Sequence, residues 1–155
     1  MDIEGNLRAE EEAWAVRNAI FASLLGAESL IKQFGRVPSF HDGEVETIHL
    51  VKSGPSHIKI RTGFPDIFGP GHVYVSLMIS NVLDVELEGF SAQNVIQELW
   101  LRPAMTRPEH LGKGVAVEDG DLEIELEPIF GIGGTIVGRG LTLDWSKDRR
   151  ARAKN

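Results

Sequence analysis

Ser39, His41 and Asp42 stand within one short stretch, and a hydroxyl, an imidazole and a carboxylate are the three groups a serine hydrolase needs. Their spacing defeats that use. In an extended segment Ser39 and His41 point to one face and Asp42 to the other, so the imidazole is not oriented by both partners. A His-Asp step can also help hold a metal, but a site needs further ligands, and His49, His57, His72 and His110 fall at no ligand spacing such as H-x-H or H-x-x-x-H. A structural role is the simpler reading: Asp42 caps a turn through Gly43, with His41 bonding a backbone carbonyl. The glycines from Gly131 to Gly140 do not match G-x-G-x-x-G and lead into a strand pattern, where phosphate binding requires a helix N-terminus. They read as a hairpin or bulge. Cysteine is absent, which removes thiol nucleophiles, thiolate metal sites and disulfides. The expectation is a protein with no catalytic residue, no metal and no cofactor.

Carboxylates are the remaining candidates. Asp84, Glu86 and Glu88 alternate with Leu83, Val85 and Leu87, while Asp121, Glu123, Glu125 and Glu127 alternate with Leu122, Ile124 and Leu126. Alternation puts one acid about every 6.6 Å along a single strand face. Two readings compete. Such a face can dock a cationic partner and steer its approach, or it is the ordinary solvated side of a sheet, charged against edge pairing. Acid/base work of the glycosidase kind fits poorly, because acids on an open strand lack the pocket that would separate their pKa values.

The elements that must position these residues change character along the chain. Residues 7–25 have helical spacing, with Trp14, Phe21 and Leu25 on a face shared by Ala13, Ile20 and Leu24. Asn6 is the expected N-cap, with Glu10, Glu11 and Glu12 near the helix start. Arg17 falls in the middle of the apolar face, expected to snorkel outward or to pair with a carboxylate such as Glu28. Gly26 breaks the helix, and Ala27–Phe34 resumes it until Gly35. Pro38 forces Val37 into an extended conformation. From Val45 the period becomes two: His57–Thr62, residues 72–80, a run from Leu83 after a turn or bulge at Ser80-Asn81, Val95–Arg102, then Leu122–Leu126, Ile132–Val137 and Leu141–Trp145. Residues 103–114 read as loop. The fold class expected is α+β: an N-terminal helix or helix pair on an antiparallel sheet or sandwich of about seven strands.

At 155 residues, 42% apolar and 25% charged, the chain has the composition of a globular domain, taken as residues 1–146 with a basic tail at 147–155. The formal net charge is −7, yet those last nine residues carry five basic side chains against one acid, leaving −11 for the rest. So acidic a body argues against nucleic acid as partner and suits either a cationic protein or no more than solubility. No run approaches the roughly 18 apolar residues of a membrane helix, and the acidic start Met1-Asp2-Ile3-Glu4 is unlike a secretory leader. A cytoplasmic location is expected. Phe64 to Gly71, a loop with three large apolar side chains, either folds back on the sheet or forms a contact for a homo-oligomer, the second being the expectation.

Two segments also resemble a known family. Phe34-Gly35-Arg36-Val37-Pro38-Ser39-Phe40-His41-Asp42-Gly43-Glu44-Val45, followed by Ile48 and Leu50, is similar to the FG-x-(aromatic)-PSFHD-x-EV start of a bacterial polymorphic-toxin immunity-protein family, the one numbered fifty. Leu87-Glu88-Gly89-Phe90-Ser91-Ala92-Gln93-Asn94-Val95-Ile96 resembles its later v-x-L-x-gF-x-x-QNvi element, in the same order along the chain. The resemblance implies a small cytoplasmic α+β protein that neutralises a toxin by binding it. It also implies that Pro38, Phe40, His41, Asp42, Gln93 and Asn94 mark the fold, tying the helix–strand junction to the sheet. The partner surface would then lie elsewhere, on the acidic stripes. The alternative is an accessory domain that homo-oligomerises or binds a small ligand in a sheet-lined pocket.

Overall fold

Gly26 and Gly35 divide the N-terminal third as their lack of a side chain dictates. The structure, a computed structural model, describes residues 2–63 and 71–148. Helix α1 (Ile3–Ser23) leads into α2 (Ala27–Phe34). Gly26 between them has φ 100°, and a Cβ there would stand 1.8 Å from the Leu143 carbonyl oxygen, so no other residue fits the turn. Helix α1 starts earlier than its apolar spacing indicates, because Asp2 and not Asn6 supplies the cap: its Oδ1 accepts the Gly5 N–H at 2.9 Å. Glu10, Glu11 and Glu12 therefore lie beyond the first turn, which holds only Glu4. Leu25 is not on the buried face but 78% exposed, since it falls in the turn and engages the sheet through its backbone.

The strands are β1 (Gly43–His49), β2 (Ser56–Arg61), β3 (Val73–Glu88), β4 (Val95–Pro103), β5 (Leu122–Phe130) and β6 (Gly133–Lys147). All pair antiparallel, and they close into a barrel in the order β1-β2-β3-β6-β5-β4. The α+β class expected, N-terminal helices on an antiparallel sheet, is what the described residues form; they hold six strands where about seven were expected, and the sheet closes on itself. Ser80-Asn81 is no turn; β3 runs straight through it and takes its bend at a bulge between Val82 and Asp84. The runs at 132–137 and 141–145 are likewise one strand, β6. The hairpin expected at 130–134 is there, joining β5 to β6. Residues 103–114 hold a short helix, α3 (Pro108–Lys113), too brief to show a period, with proline at its first turn.

Side chains such as Phe40, Ile58, Leu77, Leu101 and Ile124 fill the interior together with Phe21 and Leu30 from the helices. The helices complete the wall as well as cover it. Strand β5 pairs with β6 only as far as Gly138, and the edge of β6 freed beyond it is met by Leu25, whose carbonyl accepts the Leu143 N–H at 2.8 Å. Trp145 Nε1 donates to Ser29 Oγ of α2 at 2.9 Å, and α1 lies across the outside of β4 with Trp14 against Trp100, ring centroids 4.8 Å apart. No described helix is long and apolar enough to cross a membrane. The apolar loop at 64–70 and tail residues 149–155 lie outside the described residues.

Candidate binding face

Cross-strand register brings the two acidic stripes onto one outer wall but keeps them apart. Strand β6 runs between β3 and β5, so one row reads Asp84, Val137, Glu123, Arg102 and the next Glu86, Thr135, Glu125, Trp100. A neutral side chain of β6 thus separates the acids in each row, and the stripes stand two strand spacings, about 9–10 Å, apart. That separation weakens the repulsion that acids directly opposite one another on paired strands would suffer.

The wall is also clothed. The segment from Arg107 to Lys113 crosses it and presents basic groups at helical spacing. Lys113 Nζ lies 2.9 Å from Asp84 and 3.3 Å from Glu86, and Arg107 reaches Glu123 at 2.6 Å. His110 is buried between them, accepting the Arg107 N–H on Nδ1 at 3.1 Å and turning Nε2 to Asp84 at 3.4 Å. Arg102 of β4 bridges Glu123 and Glu125. Trp100 Nε1 donates to Glu127 at 2.8 Å. Asp121 does not belong to the stripe. It precedes β5, is buried, accepts the Glu118 N–H, and is gripped by Arg139 through Nε and an Nη at 2.8 Å each, which holds its carboxyl below the usual range. The expected uncovered plate is therefore mixed. Asp121 and Glu123 are buried, Asp84 nearly so, Glu125 and Glu127 half-buried, and of the seven only Glu86 and Glu88 are exposed. The basic residues at 107, 110 and 113 were the missed signal.

Residues 40–43 form a turn, not extended backbone. The Gly43 N–H donates to the Phe40 carbonyl at 2.8 Å, Asp42 takes φ 59°, and the Ser39 hydroxyl accepts the His41 N–H at 3.2 Å. His41 Nδ1 and Asp42 Oδ2 come to 3.3 Å, so the two side chains do not diverge as alternation requires; Ser39 Oγ is engaged by the backbone and no triad forms. This turn meets a buried ion pair. Arg17 and Glu98 approach to 3.6 Å, Arg17 reaches the Pro38 carbonyl at 3.4 Å, and Glu98 accepts the Phe40 and Leu99 N–H groups. Arg17 thus does not snorkel but pairs with a carboxylate, as the second expectation had it, with Glu98 in the place of Glu28. Its guanidinium lies 4.7 Å from the Trp14 ring centroid, with Nε unpartnered. Burial lowers the Arg17 pKa against the pull of Glu98, and it raises that of Glu98 against the pull of Arg17.

Asn94 is buried and ties the β5–β6 turn to the start of β4: Oδ1 accepts the Ser91 and Ile132 N–H groups and Nδ2 donates to the Ser91 carbonyl. Gln93 is exposed, and the hydrogen bonds it makes there run through its backbone.

Beside the acidic wall, between α1 and β4, runs an apolar groove of about 380 Å³ lined by Ala13, Val16, Trp100 and Met105, with Glu12 and Arg102 at its polar margin. Every residue of α1 from 3 to 13 is exposed, including Ile3 and Leu7. Among the described residues no group of three or more His, Asp or Glu is placed to hold a metal ion. No family model, no curated protein and no solved structure matches the chain.

Proposed function

We propose that this is a non-enzymatic binding protein, immunity-like, which neutralises a basic protein toxin by covering it. The observation that carries the reading is the uncovered first half of α1. Roughly three turns of helix contain no buried residue, although a helix in water draws most of its stability from a packed face. That half presents Ile3 and Leu7 one turn apart, and between Asp2 and Val16 it carries Asp2, Glu4, Glu10, Glu11 and Glu12 against Arg8 alone. The apolar groove continues it, and Arg102 joins the groove to the acidic wall, where Glu86 and Glu88 remain exposed.

Apolar anchors within an acidic surround suit a cationic protein, with the charges guiding approach and the apolar residues holding the complex. A second copy of this chain would set like charge against like. Blocking a toxin needs no reacting group, consistent with Ser39, His41 and Asp42 serving a turn.

The test is rescue. The protein encoded beside this chain is expressed in cells with and without it. Restored growth, lost on Glu10→Lys with Glu12→Lys and Leu7→Asp, supports the reading. Toxicity unchanged by the wild-type chain contradicts immunity, and rescue that survives those substitutions contradicts the surface.

A further inference from the structure

The five histidines differ in how their ring nitrogens are engaged. His72 Nδ1 lies 2.7 Å from the Thr62 carbonyl, His110 is engaged at both nitrogens, and His41 Nδ1 meets Asp42. His49 and His57 make no such bond to any described residue. Their rings instead lie against each other, centroids 5.4 Å apart and planes 21° from parallel. They are register partners across β1 and β2, and His57 is the register partner of Met78 on β3. Partners in an antiparallel pair share a face. His49, His57 and Met78 therefore form one row across three strands on the outside of the barrel, while the adjacent Ile58 and Leu77 are buried inside.

We propose that this row is a metal site and that its ion is Cu(I). Two neutral imidazoles and a thioether make a soft ligand set, which selects monovalent copper over the hard cations that carboxylates take. The spacing suits it: two imidazoles on one tetrahedral ion hold their centroids about 5 Å apart, close to the 5.4 Å between these rings. His49 is exposed and His57 half-buried, and rotation of the two rings about their side-chain torsions would turn the unspent nitrogens toward a shared point. Met78 is half-buried one strand away, on a flexible side chain that can bring Sδ to the same ion. Lys59, two residues along β2 from His57, is engaged away from the row: its Nζ sits 4.5 Å over the Tyr74 ring, beyond Ser76 from Met78. The site is visible only in the register: a hairpin folds residues 49 and 57 onto each other, and Met78 arrives from the next strand.

The experiment is competition for copper under anaerobic, reducing conditions between the whole protein and a chromophoric Cu(I) chelator. The wild type is expected to withdraw one equivalent. His49→Ala and His57→Ala each weaken binding by about tenfold or more. Met78→Leu weakens Cu(I) comparably but leaves Zn(II) affinity within about twofold, since the thioether is the soft ligand; His72→Ala changes nothing. A wild type that leaves the copper with the chelator overturns the site, as does unchanged binding in the His49→Ala/His57→Ala double variant. Unchanged Cu(I) affinity in Met78→Leu overturns the three-ligand set. A variant-free measurement runs beside these: on adding Cu(I), the ring proton resonances of His49 and His57 shift while those of His72 and His110 stay, and the reverse pattern overturns the proposal.

Discussion

Arg17 and Glu98 meet at 3.6 Å where α1 lies across β4, with both side chains almost wholly out of water. Glu98 also accepts N–H groups from Phe40 and Leu99, and Arg17 reaches back to Pro38. One ion pair therefore fastens three things at once: the helix, the strand and the turn that begins the sheet. The C-terminal half of α1 is held here, and its N-terminal half continues past this point without support.

Removing one member of a buried pair leaves the other charge uncompensated. Arg17→Met is expected to cost about 3–5 kcal/mol, and Arg17→Met with Glu98→Leu to recover most of that loss, because two apolar side chains of similar volume remove both desolvation costs. Urea denaturation checks it. A double variant as unstable as the single one contradicts the account of the seam.

The same pair gives stability a pH dependence of definite sign. Burial raises the Glu98 pKa above its ordinary 4.5, and Arg17 and the two backbone donors only partly offset this. An acid with a raised folded pKa holds its proton more tightly when folded, so stability is highest with Glu98 protonated and declines as pH rises from 4.5 through the folded value. Glu98→Gln cannot titrate. The stability of the wild type relative to that variant should fall over this window and be level above it, measured by denaturant midpoints from about pH 4 to 8. A difference that grows with pH contradicts the sign.

Asn94 and Gln93 are adjacent and should behave oppositely. Asn94→Ala strands the buried Ile132 donor and the part-buried Ser91 donor and should cost about 2–3 kcal/mol. Gln93→Ala touches an exposed side chain and should change stability by under about 0.5 kcal/mol. Thermal melts of the two variants decide this.

Backbone exchange should divide α1 in two. Amides at 7–13, on the uncovered half, should exchange far faster in the isolated protein than those at 17–23, where Arg17 and Phe21 are buried. Binding of the partner should slow the first group selectively. Equal protection across α1 in the free protein would show that its first half is already covered.

The α+β class, the glycine boundaries at 26 and 35, and β1, β2, β4 and β5 were legible because each follows a local rule of period or turn chemistry. Barrel closure was not. It rests on β1 meeting β4 through Gly43 and Glu44, a long-range pairing that leaves no periodic trace. The bulge after Val82 hid one strand as two, since a phase change in alternation looks like a turn. In the candidate face, the alternating acids were visible, but Lys113 above Asp84 and Thr135 between Glu86 and Glu125 depend on strand order and on a six-residue helix. Arg17 misled because an arginine on an apolar face more often keeps its charge in water. Here Glu98, far along the chain, draws it in.

The most direct measurement is the affinity of the neighbouring gene's product for wild-type protein and for Glu10→Lys/Glu12→Lys, taken at low and high salt. Both substituted positions are exposed on α1, so folding should be unaffected. The predicted result is tight binding by the wild type that weakens with salt, and a loss of about tenfold or more in the variant, chiefly through slower association. Equal affinity for the two proteins, or binding indifferent to salt, would contradict an acidic helix face as the place where a cationic partner is held.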